Sequence, residues 1–378
     1  MDLSVIVIVV VVTALIFDFT NGFHDTANAM ATSIATGAMR PKVAVAVAGV
    51  LNLVGAFLSV EVAKTISSGL VDEARITPVV IFAGLVGAIL WNLLTWLLGL
   101  PSSSSHALFG GLIGATLVAA GASAVDFDTV VTKVVLPAIL SPLLAGVIAL
   151  VATYLAYRIT KRGDRATVSK GFRIGQIVSA SMVALAHGTN DAQKTMGVIT
   201  LTLITAGALA PNSGPPFWVV LSAGLAIALG TYLGGWRIIQ TLGKRVSDIQ
   251  TPQGFAAESA SAAVILTSSH LGFALSTTQV ATGSIFGAGA GRRLASVQWS
   301  VARQMALAWL LTLPAAAAVG AVAAWLASTG TVGTVVVAVV AIAAGAGIYA
   351  ISRRKPVTAH NVNDVPTPGE KAPAGTAS

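Results

Sequence analysis

The 378-residue chain contains no cysteine, which excludes disulfides, thiol catalysis and cysteine-ligated metal sites. Charge is scarce too: Asp, Glu, Lys and Arg make up 10% of the residues, against roughly 25% in a soluble domain. Acids are the scarcer sign, 14 against 22 Lys and Arg, for a formal net charge of +8. In a soluble protein that balance would point to nucleic acid. Here the basic residues fall in short stretches between apolar runs, where membrane topology accounts for them, and no nucleic-acid partner is expected. A basic n-region is missing behind Met1-Asp2, so the apolar stretch Leu3–Phe17 reads as a retained membrane helix rather than a cleaved leader.

What the chain has in excess is apolar sequence, 55% of its residues, with a mean hydropathy of +0.84. Runs such as Val79–Leu100, Val134–Tyr157, Trp218–Trp236 and Val301–Leu326 approach or exceed the roughly 20 residues a bilayer span needs. The expected fold is an all-α polytopic membrane protein in the cell membrane, with about ten to twelve passes, some of them broken or re-entrant.

Inside this apolar background a polar cluster occurs twice. Asn21-Gly22-Phe23-His24-Asp25-Thr26-Ala27-Asn28 is matched by His187-Gly188-Thr189-Asn190-Asp191-Ala192-Gln193-Lys194, with Asp25 and Asp191 166 residues apart. A hydroxyl-rich segment, Pro101-Ser102-Ser103-Ser104-Ser105-His106, is matched by Leu275-Ser276-Thr277-Thr278-Gln279, with Ser105 and Thr278 173 residues apart. Two markers in one order at nearly one offset indicate an internal repeat. Polar interruptions in register within such repeats are a mark of secondary transporters. The expected layout is a first membrane repeat over 1–160, a basic cytoplasmic loop over 161–172 and a second, inverted repeat over 173–328. A further membrane helix over 329–352 and a disordered tail over 353–378 complete it. The helices carrying the aspartates are expected to break at Gly22 and Gly188. A cytoplasmic central loop places the N-terminus outside and the C-terminus, behind Arg353-Arg354-Lys355, inside.

The chemistry divides between the two kinds of segment. Helix N-termini at the Ser102–Ser105 and Ser276–Thr278 breaks offer backbone N–H groups, a dipole and hydroxyls, a donor set suited to an oxyanion that must also leave. Asp25 and Asp191 suit a cation instead, a proton or Na⁺, with Asn28 and Asn190 adding neutral oxygens. Lys194 stands one turn after Asp191, within pairing distance. His24, His106, His187 and His270 lie at or near the interruptions and are candidate proton carriers. Glu61 and Glu258 are further carboxylates in apolar helices and join the coupling candidates, although Lys64 is a ready partner for Glu61. No catalytic residues and no cofactor are expected. An intramembrane serine hydrolase is disfavoured, because the adjacent Ser105 and His106 cannot easily form a nucleophile–base pair.

These segments resemble the inorganic phosphate transporter (PiT) family, in particular its bacterial low-affinity permeases. The likeness rests on Gly22–Ala29, His187–Gly197, Pro101–His106, Leu275–Thr278 and Gly254-Phe255 with Glu258. It implies a carrier moving phosphate, as the free ion or as a neutral metal–phosphate complex, together with H⁺ or Na⁺, and a homo-oligomer, a dimer. Asp25, Asn28, Asn190 and Asp191 fall on the family's substrate and cation motifs, and Glu61 and Glu258 on its sensitive glutamates. Proton coupling is favoured over sodium by the histidines. Sulfate is the alternative anion, since some family members carry it. Gln279 departs from the family's usual His, which argues against a symmetric histidine pair.

Overall fold

A computed structural model describes residues 3–292 and 297–364. Among them there are helices and no β-strands, only the isolated bridges Val71–Val125 and Ser247–Val297. The first half runs α1 (Leu3–Ala35), α2 (Pro41–Gly55), α3 (Glu61–Gly69), α4 (Pro78–Leu98) and α5 (Ser104–Ala120). Then α6 (Phe127–Thr129) passes through a π-helical stretch, Val130–Val135, into α7 (Leu136–Ile159). The second half runs α8 (Arg165–Thr205), α9 (Phe217–Leu233), α10 (Trp236–Gln240), α11 (Thr251–His270), α12 (Thr277–Arg292) and α13 (Trp299–Ala327), before a final α14 (Thr331–Ser352). Local sequence sets the limits. Proline opens α2, α4 and α11, where its missing N–H costs nothing. Gly99, at φ 64°, ends α4 in the left-handed conformation that glycine tolerates.

The halves share one order of elements: a long aspartate-bearing helix, a 15- or 17-residue helix, a short helix, a 20- or 21-residue helix, a hydroxyl-led helix, and a long helix containing Pro142 or Pro314. They pack by exchange. α1 lies on α9 and α8 on α2, while α5 packs on α13 and α12 on α7.

That exchange corrects the expectation of breaks at Gly22 and Gly188, because α1 and α8 run unbroken through both. The glycines serve close approach instead. A Cβ on Gly22 would fall 2.3 Å from the Ile227 carbonyl oxygen, and one on Gly188 would fall 2.2 Å from that of Asn52. The central basic segment 161–172 is also mostly not a loop. Asp164 caps α8 by accepting from the Thr167 amide at 2.8 Å, so helix starts at Arg165. The tail departs from expectation over 353–364. Val362 is buried, Asn363 donates to the Ile34 carbonyl at 3.3 Å, and Arg237 donates to the Ser352 carbonyl at 2.8 Å. The remaining expected disorder, 365–378, lies outside the described residues.

Among the described residues five helical runs are long and apolar enough to cross a bilayer: α1, α4, the run Phe127–Arg162, α13 and α14. A sixth is formed by α9 and the segment Trp236–Arg245 taken together, bent by 59°. The count is below ten to twelve for two reasons. The long α8 and α11 bury many polar side chains, and α2, α5 and α9 have only 15 to 17 residues. Outward faces of the spanning helices expose Ile139, Leu143, Val147, Leu310 and Ile342, as a lipid-facing surface requires.

Candidate functional site

The polar residues of both motifs converge in the middle of the bundle. Asp25 and Asp191 are 2% and 0% exposed. The N-termini of α5 and α12 meet beside them, with the Ser105 hydroxyl donating to the Leu275 carbonyl at 3.2 Å. Two dipoles thus aim positive ends at one place. The hydroxyls have separate tasks. Ser103 and Ser276 accept from the His106 and Gln279 amides at 3.1 and 3.3 Å, capping α5 and α12. Ser104 donates to Asp25 Oδ1 at 3.2 Å and Thr277 to Asp191 Oδ2 at 3.1 Å. Thr278 accepts from Asn28 at 3.0 Å. Ser102 donates to Thr95 at 2.8 Å.

Each aspartate has an imidazole and a partner of its own. His24 Nδ1 lies 2.6 Å from Asp25 Oδ1, and His187 Nε2 lies 3.1 Å from Asp191 Oδ2 and 4.0 Å from Asp25 Oδ2. Lys194, 1% exposed, donates to Asp191 Oδ1, to Ser105 Oγ at 2.6 Å and to the Leu275 carbonyl at 3.1 Å. All three ammonium protons have acceptors. Oxygen and nitrogen atoms of Asp25, His187 and Asp191 lie within 4.8 Å of one another, close enough to share one cation.

The hydrogen-bond network fixes the tautomer of His187. Asn52 donates its amide to Thr231 Oγ1 at 2.7 Å, and Thr231 in turn donates to the Gly22 carbonyl at 3.3 Å. Asn52 Oδ1 therefore faces His187 Nδ1, at 3.1 Å, and Nδ1 must carry hydrogen. Nε2 then faces two carboxylates, both acceptors. A proton held among Nε2 and the two carboxyl groups, or a cation between them, reconciles that side.

The sequence-derived candidates do not all gather here. Asp25, Asn28, Asp191, His24, His187, Lys194, Ser104, Ser105, Thr277 and Thr278 do. Asn190 turns away, donating to Ser269 Oγ at 2.9 Å and the Phe273 carbonyl at 3.3 Å. His106 is buried beside an apolar cavity of about 830 Å³ that it lines with Gln279. Glu61 is half exposed, paired with Lys64 at 2.8 Å and next to His270 at a polar cavity. Glu258 is buried elsewhere, accepting from Thr32, from Ser33 at 2.8 Å, from Gln176 at 3.3 Å and from Ser179 at 2.7 Å. There it ties α1, α8 and α11 together. The site also takes in Asn21, the first residue of the first cluster, 3.5 Å from Asp191, and residues not singled out from sequence: Thr95, 3.2 Å from His24, and the Asn52–Thr231 pair. Thr95, Asn52 and Thr231 are isolated polar residues in apolar helices, which is the signal that finds them.

A multi-pass helical bundle enclosing paired aspartates and two convergent helix N-termini has the build of a membrane transporter. Comparison with known proteins makes this specific. Residues 21–320 match the phosphate transporter family, and the chain belongs to that family. A probable low-affinity inorganic phosphate transporter of Mycobacterium tuberculosis (strain ATCC 25618 / H37Rv) is 60% identical over 316 residues, 83% of this chain and 76% of that protein. One of Bacillus subtilis (strain 168) is 43% identical over 320 residues, 84% of this chain and 96% of that protein. Among solved structures, one described as the sodium-dependent phosphate transporter superposes with a TM-score of 0.78 at 25% identity, covering 86% of this chain and 99% of that one. These relatives are transporters rather than enzymes. The geometry agrees, since Ser105 Oγ is bonded to Leu275 and Lys194 rather than to an imidazole.

Proposed function

We propose that this protein imports inorganic phosphate across the cell membrane by cation symport, with H⁺ favoured over Na⁺. The observation that carries the reading is the His187 side facing both Asp25 and Asp191. A proton there turns two opposing acceptors into a satisfied network and offsets carboxylate charge beside the anion. The hydroxyls and dipoles at the starts of α5 and α12 supply the anion's donors. Cation and phosphate therefore favour each other's binding, which is the linkage a symporter needs. Sodium at the same carboxylates is the alternative, supported by the description of the superposed structure.

The two halves read as inverted repeats that rock about this site, and the protein as a homodimer. The end bearing Arg40, Arg237, Lys244 and Arg353 is assigned to the cytoplasm by its basic residues. The packing of the tail against α1 and Arg237 supports placing these groups at one end.

The test is uptake of labelled phosphate into proteoliposomes, with the pH and Na⁺ gradients imposed separately and sulfate as competitor. Uptake driven by an inward proton gradient alone is expected. Uptake driven only by sodium would move the cation to the alternative. Sulfate uptake without phosphate uptake would overturn the substrate.

A further inference from the structure

The chain continues past the stretch that the family match covers, residues 21–320. The added helix α14 packs on α4 and α13, and from its end the segment 353–364 turns back onto the bundle. Arg353, Arg354, Lys355 and Pro356 are exposed. Val362, by contrast, is 1% exposed and belongs to one apolar cluster with Ile34, Ile238 and Leu242. Asn361 shapes the turn that brings it there. Its side chain accepts from the Thr358 amide at 2.7 Å and donates to the Pro356 carbonyl at 3.1 Å.

The segment is fastened to a helix of each half. Asn363 donates to the Ile34 carbonyl, in the last turn of α1, at 3.3 Å. Gln240 of α10 donates to the Asn361 carbonyl at 3.4 Å. Arg237, also of α10, donates to the Ser352 and Lys355 carbonyls at 2.8 and 2.5 Å, which ties the root of the segment to the same place.

We propose that residues 356–364 are an autoinhibitory strap, which staples the end of α1 to α10 and restrains the carrier in one conformation. Its contacts exist only while α1, α10 and α14 keep this juxtaposition. They therefore stabilise this state over any in which those elements have moved, and a transport cycle must leave it. The hold is also releasable. The root of the strap is in water, and its tip is kept by one buried valine and the side-chain hydrogen bonds of Gln240 and Asn363.

The proposal rests on the transport reading, because a strap of this kind acts on a carrier that moves. Initial phosphate uptake into proteoliposomes is compared for the wild type, a chain stopped after Lys355, Val362→Asp, and a chain stopped after Asp364. Val362→Asp places a carboxylate in the apolar cluster and so undocks the tip. The stop after Lys355 and Val362→Asp should each raise the saturated rate about 5-fold, the equivalent of one net hydrogen bond. Amide exchange at residues 33–39 and 237–242 should quicken in both. The stop after Asp364 should transport as the wild type does. A folded carrier stopped after Lys355 that is no faster would overturn the strap. So would unchanged exchange at residues 33–39, or a rate gain already present in the chain stopped after Asp364. A slower carrier with a lowered melting temperature would overturn it too, because the segment would then be a structural brace. Asn363→Ala, with a smaller gain expected in the same direction, keeps the test decisive if the shortened chain does not fold. A wild type that takes up no phosphate would instead sink the transport reading itself.

Discussion

The two aspartate motifs occupy equivalent places in one repeated frame and carry different charges. At Asp25 the neighbours are His24 and Ser104, and Asn28, a neutral amide, reaches across to Thr277 and Thr278 at 3.4 and 3.0 Å. At Asp191 the residue matching Asn28 is Lys194, whose ammonium is bonded to the carboxylate itself. One side is thus compensated by a tethered cation and the other has only an imidazole. The two sides share a frame, and the amide-to-ammonium difference leaves the Asp25 carboxylate without a tethered ammonium of its own. Breaking each side in turn tests this difference.

The largest effect is expected from Asp191→Asn. It leaves Lys194 buried without its counter-charge, and breaking a buried pair costs about 3–5 kcal/mol. Phosphate uptake should be abolished and the melting temperature of the purified carrier should fall markedly, while insertion into the membrane persists. Uptake at the wild-type rate would remove Asp191 from the mechanism.

Asp25→Asn should abolish uptake equally but disturb the fold far less. The amide keeps an acceptor for Ser104 and strands no buried ammonium, so the loss in stability stays near that of one hydrogen bond, about 1 kcal/mol. Thermal unfolding of the two variants side by side is the measurement. Equal destabilisation would mean that the charge difference between the sides has no energetic weight.

Much of the frame was legible in the sequence, because the constraints that write it are local. Runs of apolar residues marked α4, α7 and α13, and hydroxyl runs ahead of a helix marked the starts of α5 and α12 through their caps. The aspartates stood out because carboxylates in lipid are costly. Gly22 and Gly188 were misread for a physical reason: a glycine beside polar residues looks like a break, whereas its need for space comes from Ile227 and Asn52, far away in the chain. Glu258 and Asn190 point away from the aspartates for the same kind of reason. A helix face is settled by its neighbours, and these became visible only once α8 and α11 were packed together.

The symmetry of the frame itself can be tested at those glycines. Gly22→Ala and Gly188→Ala each place a methyl against a backbone carbonyl that cannot swing aside, at 2.3 and 2.2 Å. Each should cost about 1–3 kcal/mol by overpacking, and the two losses should be similar although the motifs differ in charge. Unfolding in detergent would measure both. A large inequality would show that the α1–α9 and α8–α2 crossings are not equivalent, and the comparison of the two sides would then lose its common reference.

The smallest effect is expected where the second copy has a device of its own, the Asp164 cap at the start of α8. Amide and hydroxyl hydrogen bonds from Thr167 hold this exposed carboxyl below the usual range. A carboxyl whose folded value is depressed stabilises fully above its unfolded value, about 3.9. That contribution is lost as pH falls through the folded value. Asp164→Ala should therefore speed amide exchange at residues 165–168 at neutral pH, leave uptake unchanged, and converge with the wild type in acid. Asn caps without titrating, so Asp164→Asn should keep slow exchange at both pH values. If Asp164→Ala exchanges no faster than the wild type at neutral pH, the helix start of the second copy depends on packing alone, and the two long helices differ only in the charges they bury.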